Sequence, residues 1–312
     1  KESKEFIDRA YLPDVKLITQ AYREDIKAGI GTSVGNFLCV GGYKFSKEDQ
    51  LFEDGIIYGH DLNDIKPFEE SKITEEVERA WYKDDQPYYT DLNEDGTLKT
   101  AKPDDKYSWI KAPRYDGKTM ECGPLARILV SYQKGNRFIK PFVDEFLSEC
   151  NLELMDLCTT GGRNAARAIE SAYIGEYLFK FINTLVENIK YYNTQTWSKY
   201  DFEALPKEAK GRSFFEVPRG VLSHFVNIED QKIKNYQVIA PTTWNASPKD
   251  SKNQRGPYEE ALIGIKLEDP SKPLEVLRVL HSFDPCLACA VHIMDVKGND
   301  LGQYKINASC SI

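Results

Sequence analysis

The chain of 312 residues contains no run of about eighteen apolar residues, which excludes a membrane-spanning helix. Its opening, KESKEFIDRAY, lacks the basic start and apolar core of an export signal, an absence that a shortened chain would also show. Positive charge is in deficit: 41 lysines and arginines stand against 49 aspartates and glutamates, for a net charge of −8. That balance argues against the basic surfaces that drive non-specific binding to nucleic acid or anionic membranes, so partners are sought among proteins. Cysteine is sparse, odd in number at seven, and widely spread, which argues against a disulfide framework and for reduced thiols in a reducing compartment. The four-cysteine pattern of an iron–sulfur cluster does not occur, nor does any internal repeat or low-complexity segment. What is present, 41% hydrophobic and 29% charged residues, fits a soluble globular chain of one large domain or two smaller ones.

Periodicity places the elements. Residues 3–28 read as a helix interrupted by Pro13, with Val15, Ile18, Ala21, Tyr22 and Ile26 on its packing face before Gly29 and Gly31 stop it. Residues 31–60 turn glycine-rich and strand-like, with Cys39 a small core residue. A short helix is predicted over 74–82. The polar stretch 83–106 holds Asp91-Leu92-Asn93-Glu94-Asp95-Gly96, spaced like a calcium loop, but the twelfth position is Lys102 where a bidentate acid is required, so a solvated turn is predicted. A buried loop around Tyr107, Trp109, Lys111, Arg114 and Tyr115 leads into a helix ending before Gly135, and 137–157 reads as an amphipathic helix. The longest periodic run covers about 163–192, with Ala168, Ala172, Gly175, Phe179, Ile182, Val186 and Ile189 on one stripe whose small first half permits close helix packing. Period two takes over between 213 and 241, where VLSHFVNI and QKIKNYQVIA flank Glu229-Asp230 as a β-hairpin. Antiparallel pairing brings the outer ends of a hairpin together, so EVPRG and APTTW should form one wall. Helices near 257–264 and 272–282 then deliver the chain to its densest chemistry.

That chemistry is SFDPCLACAVH, residues 282–292. Cys286 and Cys289, three positions apart, and His292 three positions later can converge on one small volume, and thiolates are the ligands that soft or borderline transition metals prefer. Alone, a CxxC equally fits half a structural zinc site, a redox pair or two core cysteines.

The string DPCLACAVH resembles the C-terminal metal-binding motif of nickel-iron hydrogenase large subunits. KYSWIKAPRYDGKTMECGPLAR (106–127), GGRNAARAIE (161–170), EVPRG (216–220) and YQVIAPTTWNASPKD (236–250) resemble further segments of that family in the same order, so nearly the whole chain is covered. One departure is large: the family's N-terminal CxxC is absent, and Cys39, Cys122, Cys150, Cys158 and Cys310 are isolated. The resemblance implies the C-terminal portion of such a subunit over 1–292, and a 293–312 extension that a dedicated maturation protease removes after nickel-insertion factors have acted. It implies an α+β fold, predominantly α, with a helical bundle core of the large-subunit type and small β-hairpin elements. The implied activity is reversible heterolytic oxidation of H2, with electrons passed to an iron–sulfur small subunit and then to a membrane cytochrome b. The nearest-looking segments belong to respiratory uptake hydrogenases, which implies the periplasmic side of the cytoplasmic membrane.

By the same resemblance, Cys286 is a terminal nickel ligand and Cys289 a ligand shared between nickel and an iron that carries cyanide and carbon monoxide. A terminal thiolate keeps a lone pair free, which makes Cys286 the better proton acceptor. His292 and the backbone carbonyl of Val238 are implied ligands of Mg2+ or a similar ion. Arg219 is the implied active-site guanidinium and Asp284 its carboxylate partner, since an unpaired arginine beside a dry cluster would be costly. Pro218, Pro241 and Thr242 are implied to line the cofactor, with the Thr242 hydroxyl able to donate to a cyanide nitrogen. His224 and His281 are read as packing or orienting residues, and His60 carries no signal. A hydrogen sensor, a non-catalytic interaction subunit and a zinc-stabilised domain are the rival readings.

Overall fold

The computed structural model describes residues 2–44, 50–80, 106–192, 194–197, 201 and 206–286, together with the backbone of strands at 290–294 and 300–305. The first helical run is α1 (Glu2–Phe6), a π turn (Ile7–Tyr11) and α2 (Leu12–Ala21), followed by α3 (Arg23–Lys27). Pro13 does not interrupt it. The π turn, in which the Leu12 N–H reaches back to the Ile7 carbonyl, immediately precedes Pro13 and absorbs the irregularity that a proline imposes on an α-helical ladder. The break falls at Tyr22 instead, and this alters the packing face: Thr19 and Ile26 are buried and Leu12 and Val15 touch the core, whereas Ile18 and Tyr22 are exposed.

Strands β1 (Phe37–Lys44) and β2 (Gln50–Ile57) pair antiparallel, and Cys39 is fully buried in β1 as expected. The helix predicted over 74–82 is not formed by its described residues. Ile73–Glu76 is β3, paired antiparallel with β4 (Ala112–Tyr115), because the buried β4 offers a ladder that outweighs weak local helix propensity. Around β4 the buried stretch is shorter than predicted, since Tyr107 and Trp109 are exposed. The calcium-like stretch at 91–102 lies outside the described residues.

Helix α4 (Pro124–Gln133) opens with Pro124 at its first turn and is buried from Pro124 to Ser131. Helix α5 (Lys140–Cys150) is shorter than the 137–157 expectation: Asn151 at φ 52° ends it in a left-handed cap, and a 3-10 turn (Leu154–Leu157) follows. The long helix α6 (Thr160–Tyr191) starts where Thr159 accepts from the Gly162 N–H at 3.1 Å. Its glycines allow close approach, since a Cβ on Gly162 would fall 2.3 Å from the Leu157 backbone. The predicted stripe divides in two: Ala168, Ala172 and Gly175 are buried, while Phe179, Ile182, Val186 and Ile189 are exposed. α4, α5, the first half of α6 and the β1–β2 hairpin share one apolar core.

The second half of the chain carries a three-stranded antiparallel sheet: β5 (Glu208–Val217), β6 (Gly220–Glu229) and β7 (Lys232–Ile239). The predicted hairpin is therefore extended by β5, whose polar residues hide its strand character. Short helices α7 (Pro241–Asn245), α8 (Pro257–Ala261) and α9 (Leu274–Ser282) follow, then β8 (Ala290–Met294) and β9 (Asp300–Lys305), paired antiparallel. Trp244, Val221, Ile239, Met120 and Tyr115 form a second core behind β6, and Tyr258, Ala261, Val279 and Phe283 join α8 to α9. The described residues thus combine helices with four antiparallel sheets, an α+β fold.

Candidate metal centre

Three chain segments meet at one cavity. The first is the turn between β5 and β6: Val217 pairs with Gly220, so Pro218 and Arg219 alone reverse the chain. Gly220 sits at φ +129°, and a Cβ there would lie 2.5 Å from Cys122 Sγ and 2.7 Å from the Gly123 nitrogen. Only glycine lets this turn seat against the Cys122-Gly123 segment. Gly220→Ala should lower stability by about 1–3 kcal/mol, the range for one strained backbone position, with the clash added to it. Chemical denaturation of the parent and variant measures it, and an unchanged midpoint would contradict this packing.

The second segment is the junction of β7 with α7. Ser223 pairs with Ile239, so the start of β6 and the end of β7 lie side by side and EVPRG does meet APTTW. Asn245 clamps this junction: its Nδ2 donates to the Cys122 carbonyl at 2.9 Å and its Oδ1 accepts from the Cys122 N–H at 3.0 Å. Burial pushes the Cys122 thiol up, so it stays protonated and donates to the Pro241 carbonyl at 3.5 Å.

The third segment leaves α9. Asp284 takes φ +54°, a left-handed turn, and its carboxylate meets the Arg219 guanidinium: Nε lies 3.2 Å from Oδ2 and Nη2 3.3 Å from Oδ1, while Nε also donates to the Asp284 carbonyl at 2.9 Å. With side-chain exposures of 33% and 41%, the pair contributes about 1 kcal/mol or less to stability, so its consequence is orientation. Two residues on, the Cys286 N–H donates to Thr242 Oγ at 3.3 Å, and its thiol is free and exposed. Thr242 Oγ accepts that bond and keeps its own hydroxyl proton available.

The cavity of ≈ 300 Å³ is lined by Pro218, Arg219, Pro241, Thr242 and Cys286, with Ile110 and Val217 among the apolar walls. Six of the sequence-derived candidates, Arg219, Asp284, Cys286, Pro218, Pro241 and Thr242, therefore gather in one place. Val238 does not line the cavity; on β7 it pairs with His224 of β6, whose ring meets the Tyr236 hydroxyl. Cys289 lies outside the described residues, and His292 is described only as a β8 backbone position opposite Gln303. His281 is exposed on α9, and burial pulls the His60 imidazole below its ordinary pKa. Among the described residues no three His, Cys, Asp or Glu side chains converge as a complete metal cage.

Sequence reasoning missed the group behind the turn. Arg127 of α4 is buried, donates to the Val217 and Pro218 carbonyls at 2.9 and 2.8 Å, and pairs with Glu170 and Glu216. Burial pulls its pKa down, but the two carboxylates outweigh this and raise it, so the guanidinium stays charged. The available signal was a lone arginine inside the apolar run PLARILV.

A free thiol, an oriented guanidinium and a hydroxyl donor around one largely apolar cavity define a candidate metal-centre protein, and this donor chemistry fits a soft transition metal bound at Cys286. A family model described as nickel-dependent hydrogenase matches residues 1–292, and the chain belongs to that family. It is 41% identical to the quinone-reactive Ni/Fe-hydrogenase large chain of Wolinella succinogenes, over 97% of this chain and 56% of that one. It is 39% identical to the uptake hydrogenase large subunit of Bradyrhizobium diazoefficiens, over 97% of this chain and 55% of that one. Among solved structures, the reduced, active Ni-Fe-Se hydrogenase from Desulfomicrobium baculatum superposes with a TM-score of 0.75 at 29% identity, covering 91% of this chain and 57% of that one. The chain spans about half the length of the curated relatives it matches.

Proposed function

We propose that this chain is the C-terminal portion of the catalytic large subunit of a nickel-iron hydrogenase and takes part in the reversible heterolytic oxidation of H2. The observation that carries this reading is that Arg219, Thr242 and Cys286 line one cavity while Asp284 pairs with Arg219, from positions as far apart in sequence as 219 and 286. Cys286 and Cys289 would hold nickel, with Cys289 shared with an iron bearing cyanide and carbon monoxide. When bound, this centre supplies the electrophilic site at which H2 is polarised and gives up two electrons. Arg219 holds a fixed positive charge at the cavity wall, where it stabilises negative charge that develops during cleavage. Asp284 sets the plane of that guanidinium. Cys286 accepts the proton, because a terminal thiolate has a free lone pair. The Thr242 hydroxyl would be the donor to a ligand nitrogen of that centre, and Pro218 and Pro241 present apolar walls without N–H groups.

Electrons leave through a partner, an iron–sulfur small subunit, and the relatives' names support delivery toward the membrane quinone pool, by a cytochrome b on the periplasmic side. No described helix is long and apolar enough to cross a membrane. A bundle core around the small-residue face of α6, a Mg2+-like ion held by His292 and the Val238 carbonyl, and removal of 293–312 by a maturation protease complete the proposal. The test is metal analysis and H2-dependent dye reduction with the full-length subunit and its partner: stoichiometric nickel with H2-dependent turnover is expected, and zinc without nickel would overturn the reading. The isolated 312-residue chain should bind no stoichiometric nickel, since two thiolates and a histidine leave the metals under-coordinated.

A further inference from the structure

One face of α6 holds both walls of the cavity. Arg163, Arg167 and Glu170 stand at i, i+4 and i+7 and so share a stripe. The Arg163 guanidinium lies 3.8 Å from the centroid of the Phe283 ring and grips both oxygens of Glu121, at 2.7 and 2.9 Å. Arg167 Nη2 donates to the Ser282 carbonyl at 2.8 Å, two residues before Asp284. Glu170 accepts from Arg127 Nε and Nη2, both at 2.7 Å. Arg127 spends its remaining N–H groups on Glu216 at 2.8 Å and on the carbonyls of Val217 and Pro218, the two residues that lead into Arg219. All five donors of that guanidinium are used, each on a different acceptor atom. A buried ion group of this kind is weak evidence for stability, because apolar residues of equal volume would serve the fold as well. What it supplies is a fixed place for the turn.

We propose that Arg127 and Arg167 are positioning residues: tied to one face of α6, they hold the Arg219 turn and the Asp284–Cys286 loop in fixed register across the cavity. The inference rests on the hydrogenase reading of that cavity. A lysine at 127 has three donors on a flexible stem and cannot satisfy both carboxylates and both carbonyls, so the turn shifts; a misplacement of about 1 Å can cost about 10²-fold in rate.

The experiment uses the full-length subunit with its partner and metals. Arg127→Lys and Arg167→Lys are each made alone and together with Arg219→Lys. Each single variant should lower kcat about 10- to 10²-fold with KM for H2 and nickel content unchanged, because the interaction lost acts in the transition state. Combined with Arg219→Lys, neither should lower kcat further, since Arg127 fixes the turn that carries that guanidinium and Arg167 the loop whose Asp284 orients it. The infrared bands of the iron's diatomic ligands should shift in Arg127→Lys. Additive losses, or a fall in nickel content that accounts for the lost rate, would overturn the proposal. If Arg127→Lys fails to fold, Arg167→Lys decides, since Arg167 is only partly buried. If Arg219→Lys itself turns over normally, the catalytic role of Arg219 fails separately, and unshifted infrared bands in the positioning variants would then overturn the register argument as well.

Discussion

Replacing Arg219 by lysine in the complete enzyme is expected to lower H2 oxidation by about 10²-fold or more, the scale of removing one preorganised charge-stabilising donor, while nickel content stays at the parent level. The guanidinium contacts Asp284 at three points, two of them within 3.2 Å. An ammonium on a four-carbon stem cannot keep that plane, and it places its charge wherever the stem is most comfortable. Because the pair is one-third or more exposed, its loss changes stability by about 1 kcal/mol or less, so the melting temperature should barely move. Turnover measured with metal content and melting temperature on the same sample separates the outcomes. Near-normal turnover would move Arg219 to a structural role, and lost nickel would make the effect one of assembly.

The parts of the fold that were legible are those whose signal is local. Helix α6 announces itself by its period, and the wall formed by EVPRG and APTTW follows from pairing two neighbouring strands. β3 was not legible, because its ladder partner β4 comes some forty residues later and its own residues carry no strict alternation. β5 was hidden for a similar reason: Glu208, Lys210 and Arg212 make it polar, and only pairing along β6 gives it strand form. The break at Tyr22 falls where neither glycine nor proline marks a helix end.

The cavity shows the same division. Arg219, Thr242 and Cys286 stand out because each follows a proline within a short segment that resembles the family's, so the local string alone marks them. Arg127 does not stand out, since its meaning lies in Glu170 and Glu216, which are 43 and 89 positions away. A buried charge is explained by its partners, and those are fixed only by tertiary packing.

Active enzyme is expected to end at His292, with residues 293–312 gone. The family match stops at residue 292, and the bond that follows lies inside β8, where His292 is opposite Gln303 and Ile293 opposite Gly302. All of β9 lies beyond that bond, so one cut removes the whole partner strand and leaves β8 with Ala290, Val291 and His292. A two-stranded hairpin is marginal in water even when intact, and a three-residue remnant has no ladder to hold it. On the proposed reading those residues would then be free to turn inward toward the metals. Before the cut they cannot do so: the continuing chain carries Lys297, Asn299 and Asp300, which would be buried without partners beside a dry centre. On the proposed reading the tail would keep the site open while it is loaded, and its loss would let His292 complete the Mg2+-like site. Intact-mass measurement of the purified active subunit checks this, and Cys310→Ser should leave final activity unchanged, because that residue departs with the tail. A fully active enzyme that still carries 293–312 would defeat the argument and remove the case for His292 as a ligand at a buried chain end.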